Sequence, residues 1–203
     1  ILAALTMTIG NISALMQSHV KRMLAFSSVS HAGYLVLGVL VLNSVGLSAV
    51  LFYLVVYSAM NLGAFAILLL VEKDGKGLNF KDYRGFATQH PWMAVAMAVF
   101  MISLAGFPPT GGFIAKYGLL SSAVAEGYIW LVVIAVLNTL VSAYYYLRLI
   151  VNMYMQEEKD IANPVSGVLV LGLIGFLAVI VLILGITPEF LLNITTEAAT
   201  TAF

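Results

Sequence analysis

The sequence predicts an all-α fold, a polytopic transmembrane helix bundle of six helices with the fourth discontinuous, and three observations carry that expectation. Apolar residues make up 62% of the 203 and charged residues 9%, with a mean hydropathy of +1.05, far outside the composition of a soluble domain. Charge-free stretches run over Ile1–Val20, Met23–Val71, Gly85–Ala115, Gly127–Leu147 and Ile161–Pro188. About 20 apolar residues cross a bilayer once, and the second stretch is divided at Asn43, Ser44 and Gly46, so the five stretches hold six spans. The alternation of barrel strands is absent, which leaves helices as the way to satisfy backbone groups in lipid. The third observation is charge asymmetry. Six spans place Lys21, Arg22, Lys73, Lys76, Lys81, Arg84, Arg148 and Lys159, eight of the 9 basic residues, on one membrane face and none on the other. By the positive-inside rule the basic face is cytoplasmic.

The first helix is expected at 1–18 and brings Thr8 and Asn11 into the membrane. Lys21 and Arg22 follow it as topology anchors. The second, 22–42, carries Ser27 and His31 one turn apart on one face, with His31 about 15 Å beyond Lys21 and so near the midplane. The third, 47–72, repeats that spacing with Tyr53, Tyr57 and Asn61, and Tyr57 lies at a similar depth. Polar stripes inside lipid are expected to face protein or trapped water. The connection Lys73–His90, with its glycines and mixed charges, suits a surface loop.

The fourth helix is expected in two pieces, 91–105 and 113–125, because LAGFPPTGGF lies between them. Pro108 and Pro109 remove two backbone donors, while Gly106, Gly111 and Gly112 permit close approach and unusual dihedrals. The first piece covers only about 22 Å and does not span alone. A proline kink would explain the run by itself. Lys116, directly after it, argues for more: a charge at that depth costs roughly 2.5 kcal/mol or more, and it lies about 15 Å from the face at Glu126, too deep to snorkel readily. The fifth helix, 128–155, carries Asn138 and Ser142 and then Tyr145 or Tyr146, a weaker stripe that reads as ordinary interhelical hydrogen bonding. The Tyr144–Tyr146 run reads as packing and interface aromatics. The sixth helix is expected at 165–187.

These residue types suit proton movement. Desolvation disfavours the charged form of a lysine, histidine titrates near neutrality unaided, and tyrosine and serine hydroxyls link such groups without holding charge. His31 also reads as a neutral, hydrogen-bonded core histidine, and the residues leave the two readings open. Zero cysteines exclude disulfides, thiolate metal sites and iron–sulfur ligation, and no cofactor is expected in this chain. A net charge of +0 gives no footprint for nucleic acid. Ile1 opens inside an apolar pattern with neither an initiating Met nor a charged leader, so the sequence is expected to be a fragment.

The strings GNISALMQSHVKRMLAFSSVSHAGYL (Gly10–Leu35), FYLVVYSAMNLGAFAI (Phe52–Ile67) and SLAGFPPTGGFIAKY (Ser103–Tyr117) resemble the antiporter-like subunit N family of NADH:quinone oxidoreductase, respiratory complex I. The resemblance covers essentially the whole chain. It implies a subunit of fourteen transmembrane helices built from two inverted five-helix repeats, of which this chain is similar to helices nine to fourteen. Residues 1–155 would form the second repeat, and 165–187 an additional helix, within a single transmembrane domain over 1–203. It implies that Lys116 is the family's lysine on a broken helix and a proton relay, with His31 a second relay and Tyr57 and Asn61 lining the axis between. Tyr57 stands where some sister subunits carry histidine. Lys21 matches a basic position at the cytoplasmic end. The M type of sister subunit places glutamate at the Lys116 position, and the MNLGAF and PPTGGF strings favour the N type. The central glutamate and lysines of the family's first repeat have no counterpart here.

The expected function is therefore proton translocation by a membrane subunit of an oxidoreductase whose redox chemistry lies elsewhere. The expected partners are the lipid bilayer and the other membrane subunits of complex I, including sister antiporter-like subunits, in a cell inner (plasma) membrane or an organellar inner membrane. An Mrp-type cation/proton antiporter or a membrane-bound hydrogenase subunit shares the broken helix and lysine, and is the alternative. A third possibility is a scaffold whose polar groups only lock helix packing.

Overall fold

The computed structural model describes residues 1–41, 43–72, 77–156 and 167–202. Lys73, Lys76, Lys159 and the expected start of the sixth helix at 165 lie outside the described residues. In chain order the helices are α1 (Leu2–Leu15), α2 (Val20–Val39), α3 (Ser44–Val71), α4 (Phe86–Gln89), α5 (Pro91–Ala105), α6 (Gly111–Ala125), α7 (Ile129–Met155), α8 (Val168–Ile186) and α9 (Glu189–Thr200). A single 3-10 turn, Phe80–Tyr83, precedes α4. No strand occurs among the described residues, where the one β-type contact is an isolated bridge between His19 and Asn79.

Polarity is arranged as a bilayer demands. Asn11, Ser27, His31, Ser103, Lys116, Asn138 and Ser142 are buried, while Leu, Val, Ile and Phe side chains line the outside of α7 and α8. Three helices, α3, α7 and α8, are individually long and apolar enough to cross a membrane. At the centre is α3, which touches α2, α5, α6, α8 and α9.

Where the helices depart from their expected limits, a local hydrogen bond decides. The first helix stops at Leu15 rather than 18 because the backbone beyond it is claimed by the next loop. Val20 N donates to Leu78 O at 2.8 Å, and Phe80 N donates to Ser18 O at 3.2 Å. Three residues earlier than expected, α3 starts at Ser44, since the Asn43 side chain accepts from Gly46 N at 2.8 Å and caps it. The Asn43 amide also donates to Glu126 Oε1 at 2.8 Å, tying α3 to the far end of α6.

Residues 77–90 correct the expectation of a plain surface loop. Phe80, Tyr83 and Phe86 are buried. Tyr83 donates to Gly77 O at 3.0 Å, and Asp82 Oδ2 accepts from Leu78 N and Asn79 N at 3.1 and 2.9 Å. The Arg148 guanidinium sits over the Phe80 ring at 4.2 Å, and Gly85 N donates to Asn152 O at 3.3 Å, so the loop is docked on the end of α7. Lys21 and Glu72 form a half-exposed ion pair of 2.8 Å beside it.

The tail after the sixth expected helix is also structured. Pro188 and Glu189 open α9, whose amphipathic face lies on α3; Thr195 and Thr196 each meet the Ser48 hydroxyl at 3.1 Å. The fourth apolar segment is two helices of 15 residues each, α5 and α6, joined by Gly106–Thr110. The Pro108–Pro109 bond is cis.

Candidate functional site

The break between α5 and α6 builds the site. A helix leaves its last four carbonyls without partners, and here each of the four finds one. Gly106 takes the left-handed conformation, φ 86°, that a residue with a side chain rarely adopts. With that turn Gly106 N donates to Ser103 O and Ile102 O, and Phe107 N reaches back to Ile102 O, at 3.0, 3.1 and 3.1 Å. The carbonyls of Leu104 and Ala105 remain, and the Lys116 ammonium takes both, at 3.0 and 3.2 Å. Each is a charge-assisted bond at the negative end of the α5 dipole. No carboxylate lies within 4.0 Å of Lys116 among the described residues.

Two close approaches hold this geometry. A Cβ on Gly112 would collide with the backbone carbonyl of Ser103, so only glycine lets α6 start against the end of α5; there Gly112 N donates to Ser103 Oγ at 3.0 Å. A Cβ on Gly185 would strike Pro109 O and Thr110, so α8 covers the outer side of the break. Gly111 lies against Val56 and the Val181 carbonyl on that same side. Pro108 is an exposed part of the turn between these contacts.

Lys116 keeps 5% of its surface exposed and His31 3%. They are not hydrogen-bonded to one another. The ring of Tyr34 lies beside both: the ammonium sits 5.2 Å from its centroid, and the His31 ring centroid is 6.2 Å away. The Tyr34 hydroxyl is turned away, donating to Ala135 O at 2.7 Å and meeting Thr139 Oγ1 at 2.8 Å on α7. A half-open pocket of about 150 Å³ lies beside Lys116, lined by Gly106 and Thr139 and bordered by the exposed Tyr117 and Leu140.

His31 sits in a cage of phenols. Nδ1 meets the Tyr53 hydroxyl at 2.5 Å and Nε2 the Tyr146 hydroxyl at 3.1 Å, while the Tyr57 ring lies 4.8 Å from the imidazole. A neutral imidazole needs one donor and one acceptor, and an imidazolium needs two acceptors. Two rotatable hydroxyls satisfy either state, so this cage accommodates a histidine that gains and loses a proton.

Helical spacing led to His31 and Tyr53 and to a stripe ending at Tyr145 or Tyr146, depth led to Lys116, and neither led to Tyr34. Tyr34 is three residues past His31, the i+3 neighbour on the same face, and the i+4 search passed over it. Tyr145 and Tyr146 are buried polar partners rather than interface aromatics, whereas Tyr144 is exposed. Tyr145 donates to Asn11 Oδ1 at 2.7 Å, and the Asn11 amide donates to the Asn138 carbonyl and side chain at 2.5 and 3.0 Å. Asn138 in turn reaches Thr8 at 3.2 Å. Ser27 and Ser142 instead bond to their own helices, at Leu24 O and Thr139 O. The Tyr57 hydroxyl is buried and makes no formed hydrogen bond among the described residues; Ser28, on the facing helix, spends its hydroxyl on Leu24 O. Asn61, one turn on, is half-buried, and no hydrogen bond joins it to the cage. No group of three or more His, Cys, Asp or Glu side chains that could hold a metal comes together among the described residues.

A broken apolar helix with a buried lysine seated on its free carbonyls is an arrangement of ion- and proton-translocating membrane proteins. Residues 1–142 match the family described as the transmembrane region of NADH:quinone oxidoreductase and Mrp antiporter subunits, and the chain belongs to that family. It is 49% identical over 205 residues to NADH-quinone oxidoreductase subunit N of Trichlorobacter lovleyi, a match covering 98% of this chain and 41% of the relative. It is 42% identical to subunit N of Thiobacillus denitrificans, covering 100% and 42%. The chain thus spans about two fifths of the length of the curated relatives it matches. Among solved structures, respiratory complex I from Thermus thermophilus with bound aureothin contains a chain that superposes with a TM-score of 0.84 at 33% identity, over 94% of this chain and 43% of that one. The Mrp complex from Dietzia shares the fold, with a TM-score of 0.89 at 24% identity, over 98% and 46%.

Proposed function

We propose that this chain is the second-repeat portion of a proton-translocating, antiporter-like subunit N of NADH:quinone oxidoreductase. Lys116 and His31 are its protonatable relays, and Tyr57 and Asn61 line the axis beside them. NADH oxidation and quinone reduction belong to other subunits, and this chain contributes to the translocase without redox chemistry of its own. Its partners are the neighbouring membrane subunits, including sister antiporter-like ones, in a cell inner membrane with the basic loops cytoplasmic. In this reading α5 and α6 together make one crossing, and residues 1–155 form a five-helix repeat that the 165–187 helix follows.

The observation that supports this reading best is the seat of Lys116. Its ammonium is held by backbone carbonyls and an aromatic face with no carboxylate of the described residues in contact, so loss of its proton strands no ionic partner among them. The neutral amine keeps two N–H groups, enough to go on donating to both carbonyls without the charge that strengthens those bonds. Proton exchange at such a site is cheaper than at a buried ion pair.

Arginine separates the two roles a lysine can play, since it keeps the charge but holds its proton too tightly to exchange. Proton uptake into vesicles is measured alongside NADH oxidation in the assembled enzyme. Lys116→Arg is expected to abolish pumping as Lys116→Ala does. Full pumping by the arginine variant would show that a static charge suffices.

A further inference from the structure

We infer that Tyr34 is the gate between the two buried proton-holding groups, latched shut through its hydroxyl by Ala135 and Thr139 of α7. The inference rests on the relay reading of Lys116 and His31. Three observations converge on it. The Tyr34 ring lies beside both relays, its centroid 5.2 Å from the ammonium and 6.2 Å from the imidazole. The phenol bonds to neither of them: its O–H donates to Ala135 O at 2.7 Å, and its oxygen lies 2.8 Å from Thr139 Oγ1, which holds the ring in place. Both nitrogens of His31 are already occupied by Tyr53 and Tyr146, so the imidazole draws nothing across the ring.

The latch has a physical reason to open. The single Thr139 proton has two acceptors in reach, the Tyr34 oxygen at 2.8 Å and Ala135 O at 3.0 Å, so it takes the phenol's place on the carbonyl when Tyr34 leaves. Thr139 also lines the cavity beside Lys116, where water can take over the hydroxyl's remaining bond. With the latch closed, Lys116 exchanges its proton with that cavity alone. With it open, an N–H bond of the Lys116 ammonium breaks, water from the cavity carries the proton to the hydroxyl of Tyr53 or Tyr146, and that phenol passes its own proton to the His31 nitrogen it faces, so one O–H bond breaks as another forms and the positive charge moves to His31 without electron transfer. Tyr34 is thus a positioning residue: it sets when the two relays communicate and holds no net charge itself.

Removing the latch while keeping the ring tests this. The full complex is reconstituted in proteoliposomes, a pH gradient is imposed without NADH, and its decay is followed with a trapped dye. Tyr34→Phe keeps the aromatic face under Lys116, and Thr139→Val keeps the volume of the latch partner, so the second variant carries the test if the first fails to assemble. Each is expected to speed the decay several-fold, and adding His31→Gln is expected to return it to the wild-type rate. Unchanged decay in both variants would overturn the gate and leave the relay reading standing. A fast decay that persists with His31→Gln would also overturn it, since the leak would then be loosened packing. A fast decay that persists with Lys116→Ala would overturn the relay reading as well.

Discussion

Replacing Gly112 by alanine should disable the enzyme without touching a titratable group. The added methyl would stand 2.7 Å from the Ser103 carbonyl carbon and 2.8 Å from its Oγ, and closer still to the carbonyl oxygen. Ordinary approach is about 3.5 Å or more, so the ends of α5 and α6 must part by about 1 Å. Lys116 leaves with α6, and its bonds to Leu104 O and Ala105 O, now 3.0 and 3.2 Å, stretch beyond hydrogen-bonding range. Losing those bonds costs roughly 1.5–3 kcal/mol each, but keeping them leaves the methyl overlapping the Ser103 carbonyl oxygen far inside van der Waals contact, where repulsion rises steeply. The shift is the cheaper response, and it dismantles the seat of the ammonium. Gly118 on the same helix is the control, because a methyl there meets only Ala49 Cβ, at an ordinary 3.6 Å. Pumping per NADH oxidised in vesicles, after normal assembly is verified, should drop in Gly112→Ala to the level of Lys116→Ala and stay at the wild-type level in Gly118→Ala. Normal pumping by Gly112→Ala would refute the claim that this contact positions Lys116.

Further expectations concern topology, the polar core and the basic-side loop. Single cysteines at the exposed Lys81 and Ala198 should react with an impermeant reagent from opposite sides of sealed vesicles, since three crossings separate them; reaction from one side would overturn the span assignment. Asn11→Ala and Tyr145→Phe should be coupled by roughly 0.6–1.7 kcal/mol in detergent unfolding of the full-length subunit, through their 2.7 Å bond, and simple additivity would mean the bond contributes nothing. Tyr83 lies in the loop, where burial, reinforced by the Asp82 and Glu72 carboxylates, pushes its phenol above the ordinary value. Its folded form therefore keeps a proton that the unfolded chain loses, so loop stability is level below about pH 10 and falls above it. Protease resistance of the loop should decline in that alkaline range in the wild type and be flatter in Tyr83→Phe; identical profiles would contradict the assignment.

The break was legible because its chemistry is local: two prolines and three glycines in ten residues, followed by a lysine too deep to reach water. His31 and Tyr53 were legible because a four-residue spacing put each on a polar stripe, Ser27–His31 on one helix and Tyr53–Tyr57–Asn61 on the next. The aromatic beside both relays was not, since Tyr34 looks like any aromatic in an apolar helix until the fold sets its ring beside Lys116 and His31. The Asn11–Asn138–Tyr145 knot joins residues 127 and 134 apart in the chain, and no periodicity links them. Hydropathy also hid α9. Its Leu191, Leu192, Thr195 and Ala199 recur at helical spacing, but the segment is too polar to register as a span, and its reason to fold is the surface of α3.

Gly185 also bears on how the protein is made. The Gly106–Thr110 turn emerges from the ribosome about 75 residues before the glycine that covers it. Until α8 arrives, that bared backbone is presented to whatever surrounds the nascent chain, and insertion machinery or a companion subunit has to shield it. Damage at Gly185 should thus surface first as degraded, unassembled polypeptide, a biogenesis phenotype in a residue remote from Lys116 along the chain.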